Sequence, residues 1–358
     1  MLVKTVVFNE AFSEKWQETP FLPAPTLRNM KMVINYLLAR MSLVLLPTVA
    51  PNYPQYAVID PSSACNLRCP LCPTGIGDMS RSHVFLSFDD YKRIIGQLGD
   101  YLTSIYFTNW GEPFLNPDFL KIAEYSKKAM HIPFISTSTN LNVEFSDDDL
   151  SRLINSGLDM INVSADGATQ ETYEKYRRGG KLQVVIDNSK RILAKRKELG
   201  KDKPFVVWNF FVFRHNLHEI ESIERLAKDV GVDALRISAP HVYLGVMDKP
   251  FDQLYEMSKD YLLPPSDEYS AYLDDGTKKE MKRKCNWLWR GVAIGSDGSV
   301  TPCCNIYPSK YNFGNSLKSG FKNIWNNKMY RDARKSVKGK ECPMDNICAK
   351  CTELGNWI

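Results

Sequence analysis

Short apolar, β-prone runs alternate with amphipathic stretches through the middle of the chain, and this alternation predicts a repeating strand-helix unit. Tyr56 to Asp60 (Tyr-Ala-Val-Ile-Asp) reads as the first strand. Ser87-x-x-Asp90 opens a helix through Leu98, and strand-like Ser104 to Asn109 follows. A helix from about Asp118 to Met130 leads to the strand Pro133 to Thr139. Ser146-x-x-Asp149 then caps a helix stopped by Gly157, before the strand Met160 to Ala165. Helical segments run to about Leu199. The strand Val206 to Phe213, a helix from His218 to Val230 ended by Gly231, and the strand Ala234 to Ser238 complete six βα units. Alternation of this sort builds a parallel sheet with right-handed crossovers, and six units are too few for the closed eight-unit barrel. The class is therefore α/β, as an open partial barrel or as a doubly wound sheet.

Beyond Pro240 the alternation dissolves. The stretch 240–284 contains Pro264-Pro265, Asp274-Asp275-Gly276 and several tyrosines, and reads as a lid or an interdomain linker. Gly291 to Ile294 and Ser299 to Pro302 then flank Gly295-Ser-Asp-Gly298, the signature of a β-hairpin, and a helix is expected from about Phe321 to Val337. The expected division is an N-terminal extension over 1–51, the barrel-like domain over 52–239, the lid or linker, and a small cysteine-rich domain over 285–358.

A net charge of +5 spread along 358 residues carries no footprint of nucleic-acid binding. Nine cysteines without a cleavable signal pattern point to a reducing compartment, the cytoplasm, where thiols stay available to metals. Met32 to Leu46 is apolar but interrupted by Asn35 and Arg40 and closed by Pro47, too short and too polar to span a bilayer. A helix packed on the main domain is the favoured reading, and an amphipathic helix lying on a membrane surface is the alternative.

Cys65, Cys69 and Cys72 fall in one loop after the first strand, at the end where strand-borne chemistry sits. They offer three thiolates where an iron-sulfur cluster normally takes four, which leaves one iron open to a substrate or cofactor. Zinc and a disulfide framework are the plainer readings, but zinc sites pair two half-sites and disulfide frameworks belong to small secreted chains. The C-x3-C-x2-C spacing resembles the signature of the radical S-adenosylmethionine (radical SAM) enzymes, whose open iron is chelated by the amino and carboxylate groups of methionine. Gly111-Glu112-Pro113 is similar to that family's Gly-Gly-Glu-Pro motif, which binds the amino end of methionine; the first glycine is Trp110 here. Leu71 stands where the family usually has an aromatic residue, and still offers an apolar face beside adenine.

Small polar residues at strand ends can bond ribose hydroxyls or a carboxylate, and can equally cap helices. Asn140, Ser164 and Asn216 are the candidates for the cofactor, and Asp166-Gly167 reads as well as a turn. Arg177 offers a guanidinium fork for the methionine carboxylate, or is a surface residue. The remaining cysteines lie in the last quarter. Their layout, one before the hairpin, one after it and a closing C-x2-C, is similar to the SPASM/twitch extension of radical SAM enzymes. That resemblance implies one auxiliary 4Fe-4S cluster on Cys285, Cys303, Cys348 and Cys351, with zinc as the alternative. Cys304 and Cys342 are left over; Cys342 is an alternative ligand, and Cys304 is either a hydrogen-atom donor to a substrate radical or a buried spectator thiol.

The resemblance implies a three-quarter (βα)6 TIM-like barrel with a SPASM/twitch domain, a flavodoxin or ferredoxin-type electron donor, and reductive cleavage of S-adenosylmethionine to a 5′-deoxyadenosyl radical. That radical takes a hydrogen atom from substrate, and oxidation or epimerisation follows. A small polar metabolite, a sugar or aminocyclitol, is the expected substrate, because the residues before the barrel are too few for a peptide-recognition domain. Peptide maturation and simple iron-sulfur electron transfer are the rival functions.

Overall fold

The computed structural model describes residues 3–12, 25–27, 29–78, 80–82, 84–240, 256–270, 285–338 and 346–353. In chain order the first part runs β1 (Val3–Val7), α1 (Met30–Leu45), β2 (Tyr56–Ile59), α2 (Phe88–Leu98), β3 (Ser104–Phe107), α3 (Phe119–Lys128), β4 (Phe134–Thr139) and α4 (Asp147–Asn155). It continues through β5 (Met160–Ser164), α5 (Gln170–Tyr176), α6 (Leu182–Glu198), β6 (Phe205–Phe211), α7 (Ile220–Val230) and β7 (Ala234–Ser238). After 284 come β8 (Gly291–Ile294), β9 (Ser299–Thr301) and β10 (Gly314–Asn315), with short helices around them. β2 to β7 pair in parallel and in sequence order, as a partial (βα)6 barrel requires.

Local chemistry explains the boundaries. Ser87 accepts the Asp90 N–H to start α2, and Ser146 with Asp149 completes a reciprocal capping box on α4. Gly231 takes φ 84° to close α7. The expected helix from Phe321 to Val337 is instead two, Phe321–Trp325 and Lys328–Val337. Asn327 breaks it by accepting the Tyr330 N–H as a fresh N-cap.

Two pairings extend the barrel into one 10-stranded sheet. β1, which the hydrophobic pattern did not reveal, lies antiparallel along β7. β8 lies parallel to β2, and with β9 it forms the anticipated hairpin. The C-terminal segment is thus bonded directly to the strand that precedes the cysteine loop. The expected lid or linker falls partly outside the described residues; within 256–270, Tyr261 accepts the Arg214 N–H at 2.9 Å through its carbonyl and packs edge-on to Phe213, over the rim after β6.

The sheet separates two apolar layers. Outward positions such as Ile105, Ile135, Ile161, Val206 and Trp208 pack against the helices in the main core, each buried aliphatic side chain contributing roughly 1.5–3 kcal/mol. Inward positions Phe134, Met160, Phe205, Val207 and Ala234 form a floor closed by Phe12. Above that floor the inward positions turn polar. Among the described residues no helix is long and apolar enough to cross a membrane.

Candidate functional site

The loop after β2 is folded back on itself by its own backbone. Ser63 donates through Oγ to the Ser82 carbonyl at 2.8 Å, and the Ser63 N–H reaches the Val84 carbonyl at 3.0 Å. Gly75 packs so closely that a Cβ there would sit 2.4 Å from the Cys69 carbonyl oxygen. Cys65, Cys69 and Cys72 are free thiols, and each has N–H donors turned towards sulfur. The Leu67 N–H lies 3.5 Å and Asn140 Nδ2 3.7 Å from Cys65 Sγ, while Arg177 Nη1 lies 3.7 Å from Cys69 Sγ. The N–H groups of Gly75 and Thr74 serve Cys72.

Burial pushes the Cys65 thiol up to about 12 against those donors, and raises Cys72 as well. Three closely placed thiolates in such a pocket need cationic compensation, which the irons of a cluster supply. The donor set therefore fits an iron-sulfur cluster. No three Cys, His, Asp or Glu side chains among the described residues are gathered as a cage for a single metal ion. The fit rests instead on the three thiols and the N–H groups around them.

Glu112 is buried beside this loop. One carboxylate oxygen accepts from Thr139 Oγ1 at 2.6 Å and from the Phe114 N–H at 3.2 Å, and the other from the Asn140 N–H at 2.7 Å. Burial outweighs these bonds and lifts the carboxyl to about 7. Gly111 has a role other than close approach to a ligand: its Cβ would lie 1.7 Å from the Ser62 carbonyl oxygen, so it lets the Glu112 turn cross the cysteine loop. Asn140 links the two, donating through Nδ2 to Asn66 Oδ1 at 2.9 Å.

Arg177 is no surface residue. Its Nε donates to Asp166 Oδ2 at 2.6 Å, and Asp166 is fully buried. Burial alone would lower the guanidinium, but Asp166 and Cys69 raise it well above its usual range. Asp166 also accepts the Phe211 N–H at 2.7 Å. Asn216 is corrected from cofactor contact to brace: its Nδ2 donates to the Asp166 and Phe211 carbonyls, and its Oδ1 accepts the Phe213 N–H. The amide is fully engaged by backbone. Ser164 sits half-buried at the end of β5, paired across to Asn209 of β6.

The second cysteine set assembles where β8 and β9 meet the helices. Burial first, and then Cys304, Cys285 and Cys351, raise the Cys303 thiol far above its usual range. Cys303 and Cys348 both act on the Tyr330 phenol. Cys285 and Cys351 thus lie within electrostatic reach of Cys303, and Cys348 shares the Tyr330 phenol with it; Cys342 lies outside the described residues. Cys304 is pushed up to about 12 by burial and, with Cys285, acts on the phenol of Tyr56, an inward-facing residue of β2.

The two cysteine sets are mechanically joined. Arg81, just after the first loop, donates to the Tyr307 carbonyl, to Ser299 Oγ and to Asn312 Oδ1, while Tyr307 donates its hydroxyl to the Asp78 carbonyl. Trp110 packs edge-on to Tyr307 at 5.4 Å, which gives the tryptophan in place of glycine an inter-segment role. Beneath this joint Asp60 is buried with Oδ1 lacking any hydrogen bond, and burial raises its carboxyl to about 7. The raised value means that stability falls as pH climbs from about 4 to about 7, when the folded protein must ionise Asp60. Asp60→Asn should remove its share of that slope, a few kcal/mol at most, and leave the share of Glu112, whose carboxyl burial also raises to about 7; denaturant midpoints at pH 5 and pH 8 measure it, and an unchanged slope contradicts the assignment.

One polar group escaped the reading of strand ends. Asn162, Asn209 and Arg236 occupy inward positions of β5, β6 and β7, and Arg236 Nη1 lies 3.5 and 3.4 Å from the two asparagine Oδ1 atoms. The signal was present as one polar residue in the inward phase of each of three consecutive strands.

Comparison with known proteins agrees with this geometry. Residues 59–227 match the radical SAM superfamily, and residues 285–352 match the SPASM iron-sulfur cluster-binding domain. Relatives include the tungsten-containing aldehyde ferredoxin oxidoreductase cofactor-modifying protein of Pyrococcus furiosus, 24% identical over 85% of this chain and 92% of its own. The AdoMet-dependent heme synthase of Methanosarcina barkeri is 26% identical over 84% and 91%. In fold, Streptococcus suis SuiB bound to S-adenosylmethionine superposes with a TM-score of 0.59 at 15% identity, covering 91% of this chain and 78% of SuiB. BtrN in complex with AdoMet and 2-DOIA superposes at 0.51 with 16% identity, over 85% and 93%. With its open-sided barrel, its three-thiol loop and its cysteine-rich hairpin domain, the chain belongs to the radical SAM superfamily, in the SPASM/twitch subgroup, and uses S-adenosylmethionine and iron-sulfur clusters.

Proposed function

We propose that this enzyme abstracts a hydrogen atom from a small polar metabolite, of the sugar or aminocyclitol class, held in the barrel lumen, and so oxidises or epimerises it. The observation that carries this reading is the Asn162, Asn209 and Arg236 tier set between the apolar floor and the cysteine loop. Such a tier offers hydrogen bonds to hydroxyl or anionic oxygens and little to an apolar substrate. When bound, the reduced cluster on Cys65, Cys69 and Cys72 and its S-adenosylmethionine supply a 5′-deoxyadenosyl radical.

The chain's own residues do the rest. Glu112 keeps an unused lone pair on Oε2, which accepts only the Asn140 N–H, for the methionine ammonium. Asn140 and Ser164 offer polar contacts to the cofactor, and Arg177 orients Cys69 from its anchor on Asp166. Cys285, Cys303, Cys348 and Cys351 hold one auxiliary 4Fe-4S cluster. Cys304 decides the outcome: a hydrogen atom returned from its thiol would give an epimer and leave a thiyl radical for the electron donor to re-reduce, and without it the substrate radical would lose a proton and give its electron to the auxiliary cluster, leaving an oxidised product. A flavodoxin or ferredoxin-type donor supplies electrons in the cytoplasm.

Anaerobic reconstitution followed by dithionite and S-adenosylmethionine should yield 5′-deoxyadenosine, and its absence from a fully loaded, reduced sample rejects the reaction class. Substrate class is tested through Arg236. Arg236→Met should raise KM for the turned-over metabolite by about 10- to 100-fold, as expected for losing a charged hydrogen bond, and leave substrate-free cleavage of S-adenosylmethionine unchanged. An unaltered KM removes the tier from substrate recognition.

A further inference from the structure

Helix α1 is folded inside out. Its buried positions are Met32, Asn35, Ala39 and Ser42, three of them small or polar. Its outward positions Met30, Ile34, Leu37, Met41, Val44 and Leu45 are 40–81% exposed and recur at helical spacing along one stripe. Leu27 before the helix and Val49 after it, 97% and 56% exposed, prolong the stripe beyond both ends. Eight of the twelve large apolar side chains exposed among the described residues thus belong to this one helix and its flanks. A monomer in water rarely displays such a concentration.

The orientation is held by polar bonds, so the stripe cannot roll inward. Asn35 donates to the Tyr53 carbonyl at 3.1 Å and to the Tyr101 carbonyl at 3.2 Å, and accepts the Tyr53 N–H at 2.7 Å. Ser42 Oγ donates to Asn52 Oδ1 at 2.7 Å. These partners precede β2 and β3, which puts α1 at the bottom of the barrel, opposite the cysteine loop.

Charge selects the occupant. From Thr19 to Ile59 the sequence has no Asp or Glu, while it carries Arg28, Lys31 and Arg40. Arg40 is exposed on α1, and Lys31 is exposed although it also meets Asp100 at 2.7 Å. A single helix with an apolar stripe, flanking cations and no acidic residue of its own, Asp100 at Lys31 being the one carboxylate paired with it among the described residues, suits a flat, anionic, apolar-backed surface, where such a helix sinks to about 5–10 Å. A second copy fits less well, because one helix wide is narrow for a stable dimer, which needs about 800 Å² on each partner.

We infer that α1 docks this enzyme on the surface of an anionic lipid bilayer, with the stripe among the acyl chains and the catalytic rim turned to the aqueous side. The inference is independent of the substrate proposed above. Its test is vesicle flotation of the whole chain with clusters reconstituted, using vesicles of phosphatidylcholine alone or mixed with phosphatidylglycerol. Binding should be about tenfold or more stronger to the anionic vesicles and should weaken as salt is raised. The variant Ile34→Glu/Met41→Glu should lose flotation by at least about tenfold, with unchanged melting and unchanged 5′-deoxyadenosine formation. Flotation on neither vesicle, or equally on both, overturns the inference. So does a dimer in light scattering that this variant converts to monomer, because the stripe would then be a contact between copies.

Discussion

Gly111→Ala is expected to strip the enzyme of its cluster and of its ability to cleave S-adenosylmethionine, although the side chain it adds is a single methyl. That carbon would stand 1.7 Å from the Ser62 carbonyl oxygen and 2.7 Å from the Ala64 carbonyl oxygen, both backbone atoms of the run into Cys65. Backbone has no rotamer with which to yield. The Glu112 N–H is bonded to the same Ala64 carbonyl at 2.8 Å, so the two turns must separate and carry Cys65 and Glu112 apart. Overpacking of this kind costs about 1–3 kcal/mol, less than the roughly 5–15 kcal/mol that holds a folded domain, so the chain should still fold. A displacement near 1 Å is nevertheless enough to lower a rate about 100-fold. Iron per chain after reconstitution and 5′-deoxyadenosine per chain are the measurements. Gly96→Ala is the matched control, since a Cβ there meets nothing within 4 Å on helix α2, and it should stabilise by about 0.5–1 kcal/mol. Full iron and normal cleavage in Gly111→Ala would show that the crossing of these turns is not what positions the site.

The parts of this architecture that were legible in the sequence are those governed by neighbours in the chain. Ser87, Ser146 and Gly231 mark helix ends because their bonds or backbone angles close within a few residues, and the six βα units follow from that punctuation and from alternating apolar runs. The cysteine loop was legible for the same reason: its spacing is local and its chemistry belongs to the thiols themselves. What stayed hidden depends on partners far away in sequence. Nothing in Val3–Val7 names β7 as its neighbour, and nothing in Gly291–Ile294 announces that β8 lies parallel to β2. Trp110 read as a departure from the motif, yet the ring it packs on, Tyr307, arrives from the C-terminal segment. Asn216 failed as a ligand because a strand-end asparagine can satisfy either a cofactor or its own loop, and only the hydrogen-bond geometry separates the two. Arg177 shows the converse, since an arginine in a charged helical run is drawn largely out of solvent once the buried Asp166 comes to meet it.

That burial makes Arg177→Met the other substitution with a large expected effect. Asp166 is fully buried, and the methionine would leave its Oδ2 without the guanidinium that now lies 2.6 Å away. Removing one partner of a buried pair costs about 3–5 kcal/mol, chiefly because the other charge is stranded. The double variant Arg177→Met/Asp166→Asn should recover most of that loss, because an asparagine in place of Asp166 has no charge to strand and its amide oxygen can still accept the Phe211 N–H. Stability and electronics then come apart. In both variants Cys69 loses the Nη1 donor at 3.7 Å, and removing a cationic hydrogen bond from a cluster sulfur moves the reduction potential to more negative values. Denaturant unfolding of the set, together with redox titration of the reconstituted protein, resolves the two effects. The expected result is a double variant that is stable yet harder to reduce, with slower cleavage of S-adenosylmethionine under a donor of fixed potential. Arg177→Lys should fall between, because an ammonium keeps the charge but not the fork that spans Asp166 and Cys69. A single variant that loses less than about 1 kcal/mol, or a double variant whose potential does not move, would mean that Arg177 neither anchors this rim nor tunes the sulfur beneath it.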